Sequence, residues 1–142
     1  QMMETTSTLF NKLSNRKDGE ALLSQKQTSP TCARLLREIL EKAKMPVPEW
    51  IAGADISKSY GYQVLRGERT PGRDILLRTA LVVRLSLKET QRMLAGGGCG
   101  ALYPKVRRDA AVIFALNHKM TLWETEELIS SLPERSLYDK EN

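Results

Sequence analysis

The stretch SKSYGYQVLRGERTPGRDILLRTALVVRLSLKET, residues 57–90, decides the fold. Ser57 is a good helix N-cap residue, and Gly67 is placed to stop the helix that follows it. Pro71-Gly72 is a turn, and Arg73 to Leu85 reads as a nearly apolar, buried helix. Ser86-Leu87-Lys88-Glu89 is a capping box: the serine oxygen takes the amide three residues on, and Glu89 reaches back to the serine amide. None of these residues alternates with the period of two that a half-buried strand requires. Working outward from this stretch, the expectation is an all-α protein.

Upstream, Leu35, Leu36, Ile39, Leu40 and Ala43 form an apolar stripe at helical spacing, with Ser29 as N-cap and Pro30 at the first helical position. Pro46 and Pro48 end that helix and start another, which carries Trp50, Ile51 and Ala54. Residues 4–28 are polar, with scattered apolar positions at Leu9, Phe10, Leu13, Leu22 and Leu23. They read as an arm that orders in part, against a partner. Downstream, Gly96-Gly97-Gly98-Cys99-Gly100 is a break or hinge, and two helices follow at about 105–118 and 122–132. The second of these opens with its own capping box, Thr121-Leu122-Trp123-Glu124. The expected units are thus the arm 1–28, a helical domain 29–96 and a C-terminal helical hairpin 97–142.

The two halves of the helical region share a pattern. Residues 73–94 align without gaps on residues 108–129, and seven of the 22 positions are identical, among them Arg73/Arg108, Asp74/Asp109, Ala80/Ala115 and Glu89/Glu124. Each copy spells a buried helix, a tight turn, a Ser/Thr capping box and an amphipathic helix. Either the copies repeat one stacking unit, or two capped hairpins converged in composition. Lys88, Gln91 and Arg92 of the first are answered by Trp123, Glu126 and Glu127 in the second. This contrast predicts that the second hairpin turns away from any nucleic acid bound near the first.

Charge is concentrated in the middle of the chain. The net +5 divides into +1 over residues 1–33, +5 over 34–103 and −1 over 104–142. A basic block between near-neutral flanks points to an anionic partner. No apolar run approaches the ~20 residues of a membrane span, and no secretory leader pattern is present. Cys32 and Cys99 are too few and too far apart for a disulfide framework, which fits a reducing cytoplasm. With one histidine, His118, and no Cys-x-x-Cys, neither a metal nor a cofactor is expected. There is no phosphate loop of the Gly-x-x-x-x-Gly-Lys kind, and Glu124, Glu126 and Glu127 read as a solvated helix start. An enzyme is not expected.

The third helix has two sides by angle. At about 100° per residue, Lys58, Tyr62, Arg66, Ser59 and Gln63 fall on one arc of about 140°. Gly61, Val64 and Leu65 fall on the opposite side.

Leu36…Ile39, Trp50-Ile51-Ala52, Ile56-Ser57-Lys58-Ser59, Val64-x-x-Gly67-x-Arg69-x-Pro71 and Leu76…Ala80…Leu85-Ser86-Leu87-x-Glu89 together resemble the Xre/Cro-type helix-turn-helix domain of phage repressors and bacterial regulators. The likeness covers about 60 of the 142 residues. It implies a five-helix, phage-repressor-like DNA-binding domain in residues 29–96, with the helix 57–66 inserted into the major groove of double-stranded DNA. Its implied DNA-binding residues are Lys58, Ser59, Tyr62, Gln63, Arg66, Arg69 and Arg73. Gln63 suits adenine and Lys58 or Arg66 guanine or phosphate, while Arg69 and Arg73 suit phosphates beside the groove. The sequence departs from the family at Gly61, which makes room for Ile51 or Trp50, and at Glu68, an acid beside the expected backbone. The expected function is transcriptional regulation, as by a repressor. The alternative is a protein-interaction module, an antitoxin or adaptor, meeting a protein partner through Tyr60, Tyr62 or the N-terminal arm. In the C-terminal hairpin, Val112, Ile113, Phe114 and Trp123 are surplus apolar surface that either completes the core or forms a homodimer.

Overall fold

The structure is a computed structural model that describes residues 30–138. It contains α1 (Pro30–Lys42), α2 (Val47–Gly53), α3 (Lys58–Leu65), α4 (Arg73–Val83), α5 (Leu87–Gly96), α6 (Arg107–Asn117) and α7 (Leu122–Ser130). No strand occurs among the described residues, so the all-α expectation holds. The N-terminal arm and the Ser29 cap lie outside them.

The helix starts have local causes. Ser57 Oγ accepts from the Tyr60 amide at 3.1 Å and opens α3. Gly67 follows α3 at φ +79°, a conformation costly for any side chain. Both capping boxes form: Ser86 exchanges bonds with Glu89 at 3.1 and 2.9 Å, and Thr121 with Glu124 at 3.0 and 2.8 Å. Helix α4 stops at Val83, two residues before its sequence-read end, because Arg84 turns left-handed at φ 64°. His118 caps the C-terminal end of α6, and its Nδ1 meets the Phe114 carbonyl at 2.9 Å.

One hydrophobic cluster runs from Cys32 to Leu137 and draws on all seven helices. Trp50 lies 1% exposed within it and donates its indole N–H to Thr79 Oγ1 at 2.9 Å. Gly61 is required by its neighbour: a Cβ there would stand 2.7 Å from Ile51 Cγ1. The space anticipated for Ile51 is real, and it outweighs the roughly 1 kcal/mol that glycine costs a helix.

The repeat is visible as internal symmetry. Arg73 grips Asp109 with two bonds of 2.9 Å, and Arg108 grips Asp74 with bonds of 3.0 and 2.9 Å. At the far ends of the same helices, Arg84 Nη1 donates to the Lys119 carbonyl at 3.2 Å, again between equivalent positions. Since N-terminus meets N-terminus and C-terminus meets C-terminus, α4 and α6 run side by side in parallel. Helix α5 packs on both, and so does α7. An approximate two-fold axis parallel to α4 and α6 relates the hairpin α4–α5 to the hairpin α6–α7.

A strap without helical periodicity closes the core. Leu137 is fully buried. Its carbonyl takes Arg78 Nη1 at 2.6 Å, and its amide donates to Glu126 Oε1 at 2.8 Å. Arg108 holds the carbonyls of Arg135 and Ser136 at 2.7 and 3.1 Å. Of the surplus apolar residues in the C-terminal hairpin, Val112 is fully buried and Ile113 partly so. Phe114 and Trp123 remain 49% and 71% exposed.

Candidate nucleic-acid interface

Helix α3 is pinned along its back. Val64 and Leu65 are buried in the core, and Gly61 is buried against Ile51. From α1, the Arg37 guanidinium donates to the Leu65 carbonyl at the C-terminal end of the helix. The opposite side is open: Lys58, Ser59 and Arg66 are exposed, and Tyr62 and Gln63 are half-buried. Thus the arc read from the sequence coincides with the accessible side of a rigidly seated helix.

The charges on this face are not all available. Arg66 makes a two-bond pair with Glu68, and the hydrogen bond from Arg66 holds the Glu68 carboxyl below its ordinary value. The acid that departed from the family pattern is therefore neutralised within the chain. Arg69 is exposed and close enough to Tyr60 to act on it: burial raises the Tyr60 phenol pKa, and the Arg69 charge opposes the rise. Among the described residues, Lys58 and Arg69 have no ion pair.

Arg73 corrects the sequence reading. Its Nε donates to Gly100 O, its Nη2 to Ala101 O, and both Nη groups to Asp109, all at 2.9–3.0 Å. Four of the five guanidinium donors are spent inside the molecule, so Arg73 fastens a loop and does not reach for phosphate. Burial works to raise the Asp109 pKa. The Arg73 and Tyr103 hydrogen bonds, with the charges of Arg73 and Arg108, overcome it and hold the carboxyl low. The signal for this role was in the sequence: an Arg-Asp pair standing at the same place in both copies. Glu126 is a second correction, since it anchors Ser136 and Leu137 and is not part of a merely solvated helix start.

Tyr60 is half-buried and lines an open cavity of about 690 Å³ with Ser57, Asp74, Arg78 and Tyr138. Arg73, Asp74 and Arg78 beside this cavity are internally engaged, and Arg78 also lies 4.9 Å over the Tyr138 ring. Burial, with the adjacent Cys99 adding to it, pushes the Cys32 thiol up to about 11, which keeps it protonated and unreactive at neutral pH. Among the described residues no three potential metal ligands come together, and no helix is long and apolar enough to cross a membrane. No protein-family model, curated protein or solved structure matches this chain.

Proposed function

We propose that this chain is a sequence-reading, DNA-binding regulator of the Xre/Cro helix-turn-helix kind, with α2 and α3 as its paired helices. The reading is carried by one observation: α3 is buried on one side and offers Lys58, Ser59, Tyr62, Gln63 and Arg66 on the other, with Arg69 just beyond. Gln63 and Arg66 meet base edges, while Lys58 and Arg69 meet phosphates. Anisotropy titrations of labelled duplex test this. Lys58→Ala with Arg69→Ala weakens binding to every duplex and reduces its salt dependence. Gln63→Ala narrows the gap between preferred and random sequence. Glu68→Gln releases Arg66 and tightens binding. Glu127→Gln, on the exposed face of α7, changes nothing; an equal effect from it would mean that α3 is not the binding face.

A second reading has its own support. Ala110, Ala111, Phe114, Leu128 and Leu132 line a shallow apolar groove between α6 and α7. Such a face suits a protein partner or a second copy of this chain. A dimer in light scattering that Phe114→Ser turns into monomer would support it.

A further inference from the structure

The segment leading into α6 combines a fixed backbone with an open display of side chains. Leu102 is buried, and the Gln91 side-chain amide takes both its N–H and its carbonyl, at 2.8 and 3.0 Å. Arg73 holds the two carbonyls before it, Gly100 and Ala101, at 3.0 Å each. The Tyr103 amide donates to Asp109 at 3.0 Å. Beyond these fastenings the side chains face solvent: Tyr103 is 53% exposed, Val106 is 45% exposed, and Lys105 and Arg107 are exposed as well. Lys105 and Arg107 have no ion pair among the described residues. The acids at the heads of α4 and α6, Asp74 and Asp109, are consumed by Arg108 and Arg73.

Internal symmetry fixes where this segment lies. The offset of 35 that superposes the repeats places residues 103–107 on residues 68–72, the segment that carries Arg69 from α3 to α4. Because α4 and α6 run parallel with their N-termini cross-linked by ion pairs, both lead-in segments sit at one end of the molecule. The Arg73 guanidinium stands between them, four residues after Arg69 and bound to the same carboxylate as the Tyr103 amide. Packed helices lie about 8–10 Å apart, which is about three base pairs of duplex at 3.4 Å rise.

We propose that Lys105 and Arg107 bind phosphates of the same duplex that α3 reads, making residues 103–107 a second anchor on the DNA. This rests on the DNA-binding reading above. The acidic face of α7 need not approach the duplex for this; only the first residues of the second hairpin do, which amends the expectation that the whole hairpin turns away. Two anchors separated by a rigid, cross-braced pair of helices set the orientation of one chain on the duplex without a second copy.

The test uses the full chain and a labelled random 20-base-pair duplex, with binding measured across a salt series. Lys105→Ala/Arg107→Ala is expected to weaken binding about tenfold at low salt. It should also flatten the slope of log K against log salt by about 1.8, two phosphate contacts at about 0.9 each. Lys42→Ala, removing a cation from α1, should leave the slope alone, and thermal melts should show all variants folded. An unchanged slope in the Lys105/Arg107 variant, with the slope lost in Lys58→Ala/Arg69→Ala, overturns the second anchor and leaves the α3 reading standing. An effect no larger than that of Lys42→Ala also overturns it. Failure of the parent chain to bind duplex overturns both.

Discussion

The hairpins α4–α5 and α6–α7 share a sequence pattern, a capping box and an axis, yet among the described residues helices wrap the first and leave one face of the second open. Helices α1 and α2 cover the first: Leu76 is 0% exposed, Met93 is 1% exposed, and Thr79 is buried beneath the Trp50 indole. Their equivalents are Ala111, Leu128 and Phe114, which line the open groove, and the Phe114 ring stacks on His118, with centroids 3.9 Å apart. Within each hairpin the facing residues are kept, because the same neighbour must be met twice. Outward positions follow whatever covers them. A hydroxyl at position 79 is useful only because an indole N–H arrives to use it, and no indole arrives at position 114.

The largest expected effect tests how equal the two ion pairs are. Each arginine also holds two backbone carbonyls, but the Arg108 side chain is 9% exposed and the Arg73 side chain 25%. Arg108→Ala is expected to cost about 3–5 kcal/mol, leaving the largely buried Asp74 carboxylate to the more exposed Arg135 at 3.5 Å. Arg73→Ala should cost about 1–3 kcal/mol. Equal losses in denaturant melts would show that the deeper burial of Arg108 adds nothing and that the symmetry extends to the energetics.

Next comes the covered-versus-bare position. Thr79→Val removes the acceptor of the Trp50 N–H and should cost about 1–3 kcal/mol. Phe114→Thr, the matching exchange on the bare hairpin, should change stability by about 0.5 kcal/mol or less. A large loss at Phe114 would mean that the groove is structurally filled.

Acid tests the Arg73–Asp109 pair. The folded-state pKa of Asp109 is depressed, so its contribution is complete above the unfolded value of about 3.9 and is lost as pH falls through the lower folded value. Asp109→Asn should therefore flatten the decline in stability below about pH 4, as read from urea midpoints at pH 5, 4 and 3.

The smallest difference is expected between the capping boxes. Their bond lengths agree within 0.1 Å. Ser86→Ala should cost about 1 kcal/mol, and Thr121→Ala should match it in the same melt. A gap between them would show that the cover over the first hairpin shields its cap.

The helices were legible because their signals are local. Ser57, Ser86 and Thr121 cap within three residues, Gly67 stops α3, and the apolar stripes repeat at helical spacing. The exposed arc of α3 was legible for the same reason, since eight residues at fixed angle define two sides. Arg73 was misread because its partners lie 27, 28 and 36 residues away, and nothing local distinguishes an arginine for phosphate from one for a carboxylate. Leu137 went unnoticed because residues 133–138 have no period; distant arginines gripping their carbonyls, and Glu126 taking the Leu137 amide, give that segment a shape.

The crossed pairs Arg73–Asp109 and Arg108–Asp74 have a consequence for crowded solutions. A carboxylate does not register which chain supplies its guanidinium. Gly96, Gly97, Gly98 and Gly100 join the two hairpins, with Gly98 already at φ +70°, so the connection can straighten at low steric cost. Two chains folding together can exchange α6–α7 and satisfy each bond of this set twice, forming an intertwined dimer in which only the hinge has changed. Refolding at high concentration should yield this species beside the monomer on a sizing column, and dilution should dissolve it slowly, because release means opening both cores.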